Sequence, residues 1–93
     1  MTFLVASEIQ KNVAKRSKER RKFLKYSRET AAEISGVPES TIRKYEDCGE
    51  ISYRQFLMLL QAYGDLSIMD AAFENPPAKT MEELITLASG DKK

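Results

Sequence analysis

The chain has 93 residues, a formal net charge of +1, one cysteine and no histidine. That length is enough for one small domain, whose core is marginal enough for oligomerisation to help. One cysteine excludes an internal disulfide, as is typical of a reducing cytosol, and without histidine it also excludes the common zinc sites. No stretch approaches the roughly 20 apolar residues of a membrane span, so we expect a cytoplasmic protein with no membrane partner.

The charges are unevenly distributed along the chain. Basic residues crowd the stretch from Lys11 to Arg28, where Glu19 is the only acidic residue, whereas acidic residues outnumber basic ones after Asp65. Such an asymmetry favours one surface for a polyanion and another surface for a different partner. The alternative is an ordinary solvated charged face.

The first helix is predicted from Ser7, its expected cap, to about 22–24. The apolar residues 1–6 precede it and form either a strand that pairs with a second subunit or an arm on the core. Ile9 and Val13 give the helix a thin inner stripe. Three residues near its end are expected to fill the core: Phe23, Leu24 and Tyr26.

Two short helices with a tight turn between them are predicted next, at about 28–35 and 39–47. Ser27 is a good N-cap for the first, because its hydroxyl can accept from a free backbone N–H. Gly36 suits the turn, because glycine adopts a left-handed conformation without a Cβ penalty. The side chains expected to face inward are Ala31, Ala32, Ile34, Val37, Ile42 and Tyr45.

A fourth helix, Tyr53–Tyr63, is predicted by apolar residues at helical spacing, by a capping box of Ser52 and Gln55, and by Gly64 at its end. Met58 falls nearer its outer face. A fifth helix is expected at about 67–73, and the residues predicted to face inward on it are Ile68, Met69, Ala72 and Phe73.

The remaining chain, 75–93, reads as a proline spacer and a last short helix. Pro76 and Pro77 disfavour helix, and a second capping box, Thr80 with Glu83, starts an apolar segment that ends at Gly90. An isolated helix of that length is marginal in water, so we expect it to dock on its own domain, a second copy or another protein.

The run from Ser27 to Glu46, S-R-E-T-A-A-E-I-S-G-V-P-E-S-T-I-R-K-Y-E, resembles the Xre/Cro/phage-repressor family, whose usual form is S-Q-x-x-L-A-x-x-x-G-V-S-x-x-T-I-x-x-x-E. The resemblance covers roughly residues 9–73. The matching positions are Ser27, Ala32, Gly36, Val37, Thr41, Ile42 and Glu46, and the departures are Ser17, Arg28, Ala31 and Pro38.

This resemblance implies an all-α, compact five-helix lambda-repressor-like DNA-binding domain over residues 1–74. Its helix-turn-helix spans about 28–47, and the second motif helix enters the major groove of double-stranded DNA. The implied function is a bacterial or phage transcriptional repressor that binds an inverted repeat as a homodimer. Glu46 is expected to pair with a nearby arginine.

The DNA contacts expected from the polar residues fall into two classes. The expected base contacts are Glu39, Ser40, Arg43 and Lys44, which lie at the start and middle of the second motif helix. The expected phosphate contacts are Arg28, Thr41, Ser52, Tyr53, Arg54, Arg21 and Lys22. Ser52 can equally well act only as a helix cap.

Other functions remain open at this point. The tail from Glu74 to Gly90 resembles tails of Xre-like, HipB-like antitoxins that partner HipA-type kinases, which would make a toxin protein a partner of the C-terminal part. A protein-interaction module without DNA binding is a third reading. Catalysis finds no support, because the sequence has no nucleophile–base pair, phosphate-binding glycine loop, metal cluster or cofactor motif.

Overall fold

The structure, a computed structural model of the chain, describes residues 5–75. Within this range the chain forms five α-helices and no strand, so the described part is all-α, as predicted. The helices are α1 (Ala6–Phe23), α2 (Arg28–Ser35), α3 (Glu39–Cys48), α4 (Tyr53–Tyr63) and α5 (Leu66–Asp70). The predicted N-terminal strand or arm, the proline spacer and the last helix with its Thr80–Glu83 box lie outside the described residues.

Helix α1 is the longest element, and it ends at Phe23, within the predicted range of 22–24, whereas its start differs from the prediction. It begins at Ala6 after an extended Val5 that makes no side-chain cap, so the predicted cap at Ser7 is wrong. After Phe23 the chain turns through Lys25, which has a positive φ of 65°. The Tyr26 N–H donates to the Arg21 carbonyl across this turn at 3.1 Å, which closes the helix without glycine.

Helices α2 and α3 have nearly the predicted bounds because their end signals are local. The Ser27 hydroxyl accepts from the backbone N–H of Thr30 at 3.0 Å. Gly36 ends α2 in the left-handed region with φ 84°, and its N–H donates to the Ala32 carbonyl. Val37 is then fully buried, and α3 begins after Pro38 without a side-chain cap.

The end of α3 rests directly on α1. Gly49 follows α3 with φ 85°, and a Cβ placed there would lie 3.3 Å from the carbonyl carbon and oxygen of Gln10. The Gln10 side-chain amide donates to the Gly49 carbonyl at 3.2 Å. Glycine is therefore required here both by the backbone conformation and by the close approach of another helix.

The predicted Ser52–Gln55 capping box forms only in part. The Ser52 hydroxyl accepts from the Gln55 backbone N–H at 3.1 Å, as a cap does. The same hydroxyl donates to the Gln55 side-chain oxygen at 3.2 Å, whereas a complete box would join the Gln55 side chain to the Ser52 backbone N–H.

The described core forms where α1 packs on α3 and α2 packs on both α3 and α4. Its buried apolar residues are Ala14, Ala31, Val37, Ile42, Tyr45, Leu59 and Tyr63. Leu24 and Tyr26 pack on this core, as predicted, and so does Met58, which was wrongly predicted to lie nearer the outer face.

Several apolar side chains predicted to be inside are exposed. Phe23 is 75% exposed at the end of α1, and Ile34 is 50% exposed because α2 uses its alanines for packing. Helix α5 ends at Asp70, earlier than predicted, and packs against α4. Ile68 is 68% exposed and Phe73 fully so, which corrects their predicted inward orientation. No helix among the described residues is both long and apolar enough to cross a bilayer.

Candidate nucleic-acid interface

A buried cluster of charged side chains joins the first three helices. The Glu46 side chain on α3 is 1% exposed and accepts from the Arg21 Nε at 2.7 Å and Nη2 at 3.0 Å. The Arg28 Nε on α2 donates to the same carboxylate at 3.1 Å. The expected pairing of Glu46 with a nearby arginine is therefore confirmed, and it involves two arginines.

Arg21 belongs to this cluster and not to the surface. The residue is only 6% exposed, and besides its two bonds to Glu46 it donates from Nη1 to the Tyr26 carbonyl at 2.9 Å. The hydrogen bond to Glu46 raises the pKa of Arg21, which stays charged. The structure does not support the predicted phosphate contact at Arg21, because this side chain is buried and three of its five N–H groups are bonded inside the protein.

Arg28 occupies an intermediate position in the same cluster. Its side chain is 23% exposed, so part of it reaches the surface at the start of α2 while its Nε holds Glu46. An arginine has five N–H donors, so this bond leaves donors for a further acceptor. Arg28 remains compatible with a phosphate contact.

The outer face of α3 carries the four predicted base-contacting residues. Glu39, Ser40, Arg43 and Lys44 are all exposed, whereas Ile42 and Tyr45 on the opposite side are buried. Positions separated by three or four residues share one side of a helix, so the exposed four form a single strip. Within this strip Arg43 Nη2 lies 3.9 Å from Glu39 Oε2.

An open cleft separates this strip from the beginning of α4. The cleft has a volume of about 570 Å³ and contains four of the predicted DNA-contacting residues. Its lining consists of Ser40, Thr41, Lys44, Glu50, Ile51, Ser52 and Gln55. Hydroxyl groups, an ammonium group and the first turn of a helix meet there, and these are groups that bind phosphate oxygens.

The remaining predicted phosphate contacts do not all lie beside the cleft. Tyr53 and Arg54 are exposed in the first turn of α4, next to the cleft, and Tyr53 is 66% exposed. Lys22 is also exposed, but it lies in the last turn of α1 and does not line the cleft. The structure thus brings together the α3 and α4 residues and does not bring Lys22 to them.

Sequence reasoning missed the cleft residues Glu50 and Gln55. Glu50 Oε1 lies 3.4 Å from Lys44 Nζ, with both side chains about two-thirds exposed. The sequence position of Glu50 could have indicated its role, because it lies between the two predicted contact segments, 39–44 and 52–54. It was overlooked because an acidic side chain is an unexpected neighbour for DNA.

A second concavity lies on another side, between α1, α4 and α5. It is mainly apolar, has a volume of about 320 Å³ and is bordered by an ion pair in which Arg20 Nε lies 3.2 Å from Asp65 Oδ2. The exposed Ile68 side chain and the ring of Tyr63 line it. Burial raises the pKa of Tyr63 to about 12, and its hydroxyl has no hydrogen-bond partner among the described residues.

Within residues 5–75, no group of three or more histidine, cysteine, aspartate or glutamate side chains is arranged to hold a metal ion. The α3 strip and the cleft thus offer hydrogen-bond donors, acceptors and positive charge. In comparisons with known proteins, no family model, curated protein or solved structure matches this chain.

Proposed function

We propose that this protein is a sequence-specific DNA-binding transcriptional regulator, a repressor of the helix-turn-helix type with a lambda-repressor-like domain. The observation that carries the proposal is the two-sidedness of α3: Ile42 and Tyr45 are buried while Glu39, Ser40, Arg43 and Lys44 are exposed in one strip. A ten-residue helix is about 15 Å long and about 10–12 Å wide, a size that the roughly 12 Å major groove admits.

The proposed base contacts follow from the chemistry of the strip. Arg43 or Lys44 can donate to guanine O6 and N7, and Glu39 can accept from cytosine N4. The ion pair between Glu39 and Arg43 is exposed, so binding to a base edge can replace it at little cost. Ser40 can donate or accept.

The proposed phosphate contacts flank this strip. Thr41 and Ser52 line the cleft, and the exposed Tyr53 and Arg54 follow in the first turn of α4. Partly exposed Arg28 supplies a cation from α2. These residues would fix the position of α3 on the duplex without reading its sequence.

A single module of this size reads only a half-site, so we propose a homodimer on an inverted repeat with half-sites about one helical turn apart. Exposed apolar residues at the C-terminal end of the described chain, among them Ile68 and Phe73, support a protein interface there. Repression would follow from blocking RNA polymerase.

The first test is a salt titration of binding to duplexes selected from random DNA. Several phosphate contacts release several counterions, so we expect log K to fall linearly with log salt, with a slope of about −0.9 for each phosphate neutralised. The proposed contacts of Arg28 and Arg54 from both subunits would neutralise about four phosphates and give a slope steeper than about −3. Binding that is absent at low salt, or that does not change with salt, would reject the proposed function.

A second candidate function is an antitoxin that also represses its own operon. It is motivated by the resemblance of the tail to antitoxin tails, and the exposed Leu66 and Ile68 on α5 are compatible with binding another protein as well as a second copy. Co-purification of a co-expressed neighbouring gene product would support it, and a chain that purifies alone would speak against it.

A further inference from the structure

Glu50 is a carboxylate inside the proposed phosphate-binding cleft, where a negative charge opposes DNA. It lines the cleft together with Ser40, Thr41 and Ser52, and its Oε1 lies 3.4 Å from Lys44 Nζ. Both side chains are about two-thirds exposed, so their pairing contributes little to the stability of the fold. Stability therefore does not explain why this carboxylate lies beside a lysine that is proposed to face DNA.

The backbone that carries Glu50 is held in place by two helices. The preceding residue, Gly49, donates its N–H to the Tyr45 carbonyl at 2.7 Å and accepts from the Gln10 side chain at 3.2 Å. Gly49 is buried against α1. The backbone next to Glu50 is therefore anchored on α1 and α3, which places Glu50 at the edge of the cleft.

We infer that Glu50 is a specificity-determining residue that pairs with Lys44 and suppresses sequence-independent binding to the phosphate backbone. The inference rests on the proposed DNA-binding function. On an arbitrary sequence, binding relies on phosphates, and Lys44 gains a phosphate only by leaving Glu50 unpaired beside another negative charge. On a preferred sequence, Lys44 can donate to a guanine edge from its three N–H groups while one of them still faces Glu50.

The test compares Glu50→Gln with Glu33→Gln, which removes the same charge from an exposed position on α2 that does not line the cleft. Dissociation constants are measured for the selected duplex and for a random-sequence duplex, each across a range of salt. We expect Glu50→Gln to tighten binding to the random duplex more than to the selected one, lowering the discrimination ratio roughly two- to fivefold. Its salt slope on the random duplex should steepen by about one contact.

A second pair of variants assigns the effect to Lys44. In a Lys44→Met background, Glu50→Gln has no lysine to release, so the added salt slope should disappear. If Glu50→Gln behaves like Glu33→Gln on both duplexes, or if its added slope persists without Lys44, the inference is overturned while the proposed function stands. A wild-type chain without salt-dependent DNA binding would overturn both.

Discussion

Glu46 is a buried residue at which α1, α2 and α3 meet. Its carboxylate is almost completely buried and accepts from Arg21 at two atoms and from Arg28 at one. Removing one partner of a buried ion pair costs far more than the pair itself contributes, because a charge is left without compensation. The orientation of the α3 strip therefore depends on this carboxylate.

Replacing Glu46 by Gln should strongly destabilise the fold. The amide keeps the shape of the side chain but leaves the buried Arg21 charge unpaired, so we expect the free energy of unfolding to fall by about 3–5 kcal/mol. Urea unfolding followed by circular dichroism measures this change. The matched control is Glu39→Gln, which breaks an exposed pair on the same helix and should cost less than about 0.5 kcal/mol. Equal losses for the two variants would contradict the account.

The sequence allowed part of this residue-level description to be predicted. The family pattern predicted an arginine partner for Glu46, and its spacing predicted the burial of Ile42 and Tyr45. It did not identify Arg21, because the basic run contains many equivalent side chains and the partner lies 25 residues away in the chain. Only tertiary packing decides which basic residue of α1 turns inward.

At the scale of elements, the contact with α1 holds the C-terminal end of α3 in place. Gly49 combines a positive φ of 85° with a close approach to the Gln10 backbone. Gly64 has the same φ after α4, but a Cβ there would meet nothing within 4 Å. The two glycines therefore separate the cost of backbone strain from the cost of a steric clash.

We expect Gly49→Ala to destabilise the protein more than Gly64→Ala. Both variants place alanine in the left-handed region, at a cost of about 1–2 kcal/mol. Only Gly49→Ala also pushes a methyl group against the rigid backbone of α1, which should add about 1 kcal/mol or more. Thermal unfolding of the two variants measures the difference. Equal melting temperatures would show that α1 does not pack tightly on the end of α3.

Elements with local end signals were predictable, whereas those set by packing were not. The bounds of α2 follow from Ser27 and Gly36, and those of α4 from Ser52 and Gly64. The end of α1 at Phe23 also lies within the predicted range of 22–24, although the chain turns there through Lys25 without a glycine. Helix α5 stops early because its apolar residues find too few neighbours to bury them.

Across the whole molecule, the described residues present two different surfaces. One is polar and basic, formed by the α3 strip and the start of α4. The other is apolar, formed by α5 and the groove beside it. The charge asymmetry of the sequence favoured a polyanion surface along the basic run of α1, whereas the polar surface described here lies on α3 and α4, and Arg21 of α1 is paired internally. We propose that the first surface binds DNA and that the second surface binds a protein.

The most direct test of the central claim, that the α3 strip reads base edges, is the binding of Arg43→Ala to its selected duplex and to a random duplex. We expect a loss of about 1–3 kcal/mol on the selected duplex and a much smaller loss on the random one, because a base contact is removed. Arg54→Ala, the control at a proposed phosphate contact, should weaken both duplexes alike. If Arg43→Ala also weakens both by the same factor, or changes neither, the strip does not read sequence and the account is wrong.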